Sequence, residues 1–433
     1  MTDPVTRAQL ILLARTLHVA PERIAHLERL GAHNLHEIQQ RAAAVIFDQH
    51  AETFQRISRL VPVIPLGISM PLVQKLVPPR LTGRAAGAVG IDHPKKAADT
   101  VALLGVGYAA DCAPYLDPRT VGELAQVAPP EPIVHIVNEI LRRRDYITAG
   151  PFLAYATPRL IEAVEQGVHD DAGLIFSASF AFSAPAISSV VRRLLDGSGG
   201  RMPRMITTVL RGSPQLRVAA LSVFARCDTE VAAEIGDIVV GIGTPAALSD
   251  LILTAVHGNA VHDLCILFDS LRPHAVATVA ALPIFGDTAV AAALLRALDG
   301  CSDSAPWRGL FGVLERTDPA LRPALALMLA QQPDAVIAAL PSHATEANLW
   351  PVLLDIVAAG DYPIQTRIGE VWASLPPERR AGVQWHLAER HDDPMLATVS
   401  TAVTASAPSV EEIFYRRRKF GRRRSEAVAD DIG

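Results

Sequence analysis

Six times along this chain a residue able to cap a helix is followed directly by proline: Asp117-Pro118, Thr157-Pro158, Ser213-Pro214, Thr244-Pro245, Asp318-Pro319 and Asp393-Pro394. An Asp, Ser or Thr side chain accepts a hydrogen bond from the free amides of a first helical turn. Proline fits the first helical position because its missing N–H would be unpaired there anyway. Each signal opens an apolar stripe at helical spacing. After Pro118 come Val121, Leu124 and Ala125; after Pro158 come Ile161, Val164 and Val168; after Pro245 come Leu248, Leu251, Ile252 and Ala255. The pattern predicts one helix after another, each about ten to fifteen residues long.

Composition supports an all-α chain. Half of the 433 residues are hydrophobic and mean hydropathy is +0.24, yet only 5% are aromatic. Ala, Leu, Val and Ile therefore carry the apolar content, which suits close helix packing better than a β-sandwich. A chain of this length exceeds one ordinary core, so several domains or a repeat array is expected.

A register accompanies the helix starts. Pro79-Arg80, Pro118-Arg119, Pro158-Arg159 and Pro203-Arg204 recur at intervals of 39, 40 and 45 residues, and Pro245 follows 42 further on. A period near 40 accommodates two helices and two turns, and such pairs must stack to bury their apolar faces. In period, helix length and Pro-Arg placement the stretch 61–403 resembles the HEAT and armadillo α-solenoid families. A looser likeness exists to the helical N-terminal domain of MgtE-type magnesium transporters. No functional residue carries over from either.

The resemblance implies a right-handed α-solenoid of HEAT-like helix pairs. Residues 1–60 are expected to form an N-terminal helical cap, with helices over 21–30 and 35–57. Residues 61–196 and 201–408 would be two sets of repeats, separated at Asp196-Gly197-Ser198-Gly199-Gly200. Residues 409–433 read as a disordered basic tail. Arg80, Arg119, Arg159 and Arg204 should then occupy equivalent places and form a ladder.

One stretch, 172–191, holds twenty consecutive uncharged residues, long enough to span a bilayer. Ser183-Ala184-Pro185 divides it, so two buried helices are expected. The first residues lack the apolar core of a signal peptide, because Asp3, Arg7 and Arg15 interrupt them. Cys112, Cys227, Cys265 and Cys301 form no CxxC pair and read as buried, reduced thiols of a cytoplasmic protein. Arginine far outnumbers lysine, which occurs only at positions 75, 95, 96 and 419, and alanine is abundant. That is the coding bias of a high-GC bacterium.

Candidate chemistry is sparse. Gly105-x-Gly107-x-x-Ala110 and Gly241-x-Gly243-x-x-Ala246 share the spacing of a dinucleotide loop, the second after Ile238-Val239-Val240. No second strand ending in an acid accompanies either, so both read as turns between helices. His257 and His262 near Asp263 and Cys265, and His386 and His391 before Asp392 and Asp393, stand five residues apart. Five residues turn a helix through about 500°, leaving the rings on different faces. In His169-Asp170-Asp171 the carboxylates are placed to stabilise the next helix start. An enzyme would need a pocket gathering residues such as His135, His169 and Asp171. No catalytic residue, cofactor or metal ligand is assigned.

The formal charge of −5 argues against a nucleic-acid groove. The tail is the exception: Arg416, Arg417, Arg418, Lys419, Arg422, Arg423 and Arg424 put seven cations into nine residues. They are candidate contacts to an acidic partner or to the anionic inner surface of a membrane, each basic side chain contributing about 1 kcal/mol. The expected function is a non-enzymatic interaction module with a protein partner on its concave face. The alternative is a carrier or sensor holding an apolar small molecule or lipid between repeats.

Overall fold

The computed structural model describes residues 4–49, 66–116, 118–197 and 199–405. Among them every regular element is helical and none is a strand. They fall into two compact units, residues 1–275 and 276–433.

The helix-start reading holds wherever it can be checked. The side-chain oxygens of Thr157, Ser213 and Thr244 accept from the amides of Leu160, Leu216 and Ala247 at 3.3, 3.2 and 3.2 Å. Asp318 and Asp393 accept from Ala320 and Met395 at 2.9 and 3.0 Å. Asp117 lies outside the described residues, but a helix begins at Pro118. We expect Thr244→Ala to cost about 1 kcal/mol in denaturant unfolding, the usual loss when such a cap is removed. The uncharged stretch forms two helices, Asp171–Ser179 and Ala184–Asp196, the second capped by Ser183 on Ala186.

In the first unit, Pro4–Leu17 and Gly31–Gln49 pack against each other across the 3₁₀ turns Pro21–Leu30, with Leu10, Leu13 and Leu35 at their centre. Beyond them the helices pack next-but-one. Pro79–Asp92, Val106–Cys112, Pro130–Arg142, Pro158–Gly167 and Ala184–Asp196 make one series, while Leu66–Leu76, Pro94–Leu103, Pro118–Val127 and the turn Gly150–Tyr155 make another. Asp171–Ser179, Arg201–Arg211, Thr229–Ile242 and Val261–Ser270 continue in the same manner, as do Pro214–Phe224 and Pro245–His257. Residues 197–200 lie inside this unit.

This packing corrects two expectations. The interval from Pro79 to Pro118 holds three helices rather than two, and so does each interval up to Pro245. Pro79 and Pro158 therefore open helices of one series, whereas Pro118 opens a helix of the other. Their arginines form no ladder: Arg80 and Arg159 are exposed, Arg204 bonds Asp171, and the side chain of Arg119 lies outside the description.

Other arginines tie neighbouring helices. Arg143 bonds Asp111 at 2.6 Å and the Gly107 carbonyl at 3.1 Å. Arg226 donates to the carbonyls of Ala178 and Ser179, at 3.1 and 3.0 Å, and so closes the end of their helix. Arg192 bonds Asp228 and Arg272 bonds Asp237. Most of these pairs are exposed, so they align helices more than they stabilise them. The exception is Arg201, only 1% exposed, which donates to Asp171 at 2.7 Å and to the Val164 and Glu165 carbonyls at 3.2 and 2.6 Å.

In the second unit Thr288–Ala297, Arg322–Ala330 and Trp350–Ala358 make one series; Ser304–Glu315, Asp334–Ala347, Tyr362–Ala373 and Ala397–Ala405 make the other. Pro341 lies inside Asp334–Ala347 and has no N–H to offer the carbonyl of Ile337, four residues back. The indole of Trp372 supplies the missing donor, its Nε1 lying 3.0 Å from that oxygen. His343 stacks on Trp307 at 4.1 Å, and burial lowers its pKa, with Arg379 acting in the same direction. The unfolded chain therefore takes up this proton before the folded one. The contribution to stability is complete above the ordinary value of 6.5 and is lost as pH falls from there through the folded value. His343→Phe keeps the stack and should flatten that part of a plot of Tm against pH.

Candidate ligand cavity

A cavity of about 370 Å³ opens in the first unit between the N-terminal helix pair and residues 113–183. Gln9 and Leu12 reach it from Pro4–Leu17, and His36, Gln39 and Gln40 from Gly31–Gln49. Phe152, Ala154 and Tyr155 come from the 3₁₀ turn Gly150–Tyr155, and Phe182 from the break between Asp171–Ser179 and Ala184–Asp196. Gly150 makes this wall possible. A Cβ there would lie 2.9 Å from the Ser177 carbonyl oxygen and 3.1 Å from the Ala181 nitrogen. Only a residue without a side chain lets the turn sit so close to the end of Asp171–Ser179.

The rings are arranged tightly. His36 and Phe182 stack with centroids 4.0 Å apart and planes 10° from parallel. Nδ1–H of His36 donates to Oε1 of Gln9 at 3.1 Å, which leaves Nε2 as an acceptor. Burial lowers the His36 pKa first of all and the neighbouring His33 lowers it further, while Glu37 opposes them. The imidazole is therefore neutral near pH 7. Gln39 donates to Thr16 at 3.2 Å and Gln40 donates to Gln39 at 3.1 Å. Among the described residues no Asp, Glu, Lys or Arg lines the cavity.

A smaller recess of about 250 Å³ lies across Pro114 and is charged instead. There Arg15 donates to Thr148 at 2.7 Å and to Asp145 at 3.1 Å, and Thr148 donates to Asp145 at 2.6 Å. Arg143 and Asp111 pair on its far side. Each ion already faces an opposite charge, so the recess presents closed pairs.

The residues singled out in the sequence lie elsewhere. His135 and His169 are exposed and Asp171 is buried with Arg201, and none of the three lines either cavity. Asp170 caps Asp171–Ser179 through the Gly173 amide at 2.8 Å, as its position suggested. His257 ends its helix, His262 faces Asp263, and His386 lies against Trp350 at 4.4 Å. Among the described residues no group of three or more His, Cys, Asp or Glu could hold a metal ion. Gly105 precedes a helix and Gly243 follows one, so both glycine motifs belong to turns; residues 238–240 are helical. All four cysteines are unpaired, and burial pushes the thiols of Cys112 and Cys227 up to about 12, where they are poor nucleophiles. The tail cations Arg416, Arg417, Arg418, Lys419, Arg422, Arg423 and Arg424 lie outside the described residues.

Sequence reasoning missed Gln9, His36 and Phe182. One signal was present: Gln9 lies among Val5, Leu10 and Leu13 on the apolar face of its helix, where a polar residue needs a partner. No family model matches this chain, and no curated protein matches it. Among the described residues no helix is long and apolar enough to cross a membrane.

Proposed function

We propose that this protein is a non-enzymatic helical-repeat binding protein, a carrier or sensor that holds a small ligand in the first-unit cavity. The observation that carries this reading is the cavity itself, about 370 Å³, with aromatic walls, amide groups and, among the described residues, no charged lining. That size and that mixture of ring faces with a few polar groups match sites for small molecules. Two polar groups at the cavity are already engaged in structure: His36 Nδ1–H bonds Gln9, and the Ser183 hydroxyl caps a helix. Next-but-one packing within each unit supports a stacked, solenoid-like arrangement of helices there.

A second reading, as an interaction module, draws on a different surface. Leu72, Leu76, Leu81 and Leu103 are 55, 77, 48 and 48% exposed. Gln74 brings two of their helices together through the Leu103 carbonyl and the Gly105 amide. Exposed leucines on adjoining elements suit a protein partner on a concave face, and the basic tail would add attraction to an acidic partner or the inner membrane surface of a bacterial cell. Native mass spectrometry of protein purified from a high-GC bacterial host separates the two. A small non-covalent mass that persists supports the carrier. An apo mass accompanied by another polypeptide supports the interaction module and overturns the carrier.

A further inference from the structure

Gln9 is 1% exposed, yet only its oxygen has a partner, the Nδ1–H of His36. Gln9 lines the cavity, and its amide nitrogen donates to no described residue. Buried polar groups are nearly always hydrogen-bonded, so a donor left over on a cavity wall points to something the cavity is built to hold. The Gln9 oxygen keeps a second lone pair, so the whole amide edge, donor beside acceptor, remains available. Such an edge pairs with a complementary donor–acceptor edge on a flat heterocycle, as glutamine pairs with adenine.

The rest of the lining narrows the class. Phe152, Tyr155 and the stacked pair His36 and Phe182 make the lining aromatic, which favours a flat ring over a flexible chain. Among the described residues no cation lines the cavity to meet a phosphate and no anion to meet an ammonium, and an ion left there unpaired would be strongly disfavoured. The volume suits one or two fused rings. We infer that the cavity takes an uncharged nucleobase-type heterocycle, its amide-like edge paired with Gln9 and its ring face against the side chains around Phe182. This rests on the carrier reading and specifies the ligand for the same site.

The test is calorimetric titration of the full chain with uracil, hypoxanthine and adenine. Naphthalene serves as the apolar planar control, and orotate as the charged relative of uracil. At least one base should bind, with orotate at least about tenfold weaker than uracil if uracil is the base bound. Gln9→Leu should weaken that base by about tenfold or more, the loss of a buried hydrogen bond. Ala154→Phe, at an exposed rim position, should weaken it as well while Gln9 stays in place; circular dichroism confirms that both variants fold. If naphthalene binds as tightly as the bases and Gln9→Leu changes nothing, the heterocycle assignment falls and the carrier reading stands. If no base binds but a persistent small mass of other chemistry is found, the outcome is the same. If nothing binds and the native mass is apo, both fall.

Discussion

Replacing Asp171 with alanine lowers the unfolding free energy of the first unit by about 3–5 kcal/mol, the usual consequence of removing one partner of a buried ion pair. Its two oxygens take different cations, Arg201 at 2.7 Å and Arg204 at 3.0 Å. Arg201 is the one that matters. Its side chain is 1% exposed, its Nε is already sealed without a partner, and without Asp171 only two helix-end carbonyls would face its charge. Arg204 is half exposed, so Arg204→Ala should cost less than about 1 kcal/mol. Arg201→Met combined with Asp171→Ala removes both charges and should recover part of the loss. Denaturant unfolding gives the magnitude, and amide exchange along Asp171–Ser179 and Arg201–Arg211 locates it. Equal losses from Asp171→Ala and Arg204→Ala would refute this assignment.

Trp372→Ala should cost the second unit about 3–5 kcal/mol, through the cavity left by a large side chain. Trp372 is fully buried and stands edge-on to Trp350, with centroids 6.2 Å apart. Part of the loss belongs to the Ile337 carbonyl, which Pro341 cannot serve and the indole does. Trp372→Phe keeps most of the packing and leaves that oxygen without its donor, for about 1–3 kcal/mol. Pro341→Ala restores an N–H at the fourth residue onward, so the double variant Trp372→Phe/Pro341→Ala should regain stability relative to Trp372→Phe alone. Thermal unfolding followed by near-ultraviolet circular dichroism reads both steps. A double variant no more stable than Trp372→Phe would show that the carbonyl does not depend on the indole.

Helix starts were legible because a cap and its proline act within three residues of each other. The period was misread for the same local reason. Only some helices carry the signal: Pro94–Leu103 follows His93 and Val106–Cys112 follows Gly105, and neither has a side-chain cap. Counting the marked helices alone made three look like two. The arginines that bond neighbouring helices, such as Arg143 and Arg226, sit at or beyond helix ends, where a Pro-Arg pattern does not look. The cavity was hidden by distance along the chain. Gln9 and Phe182 line one cavity only because the N-terminal helices fold back over that part of the unit, which no spacing rule encodes.

That fold-back sets an order of assembly. The helix-tying arginines from Arg143 onward reach partners 30 to 48 residues away, so each helix can dock soon after its neighbours are made. Arg15 instead waits for Asp145 and Thr148, 130 and 133 residues later, and His36 waits for Phe182. Synthesis releases residues at roughly 5–20 per second, and longer loops close at greater entropic cost. The helices Pro4–Leu17 and Gly31–Gln49 are thus held without their final partners while the middle of the unit consolidates, and the cavity comes into being only when they return.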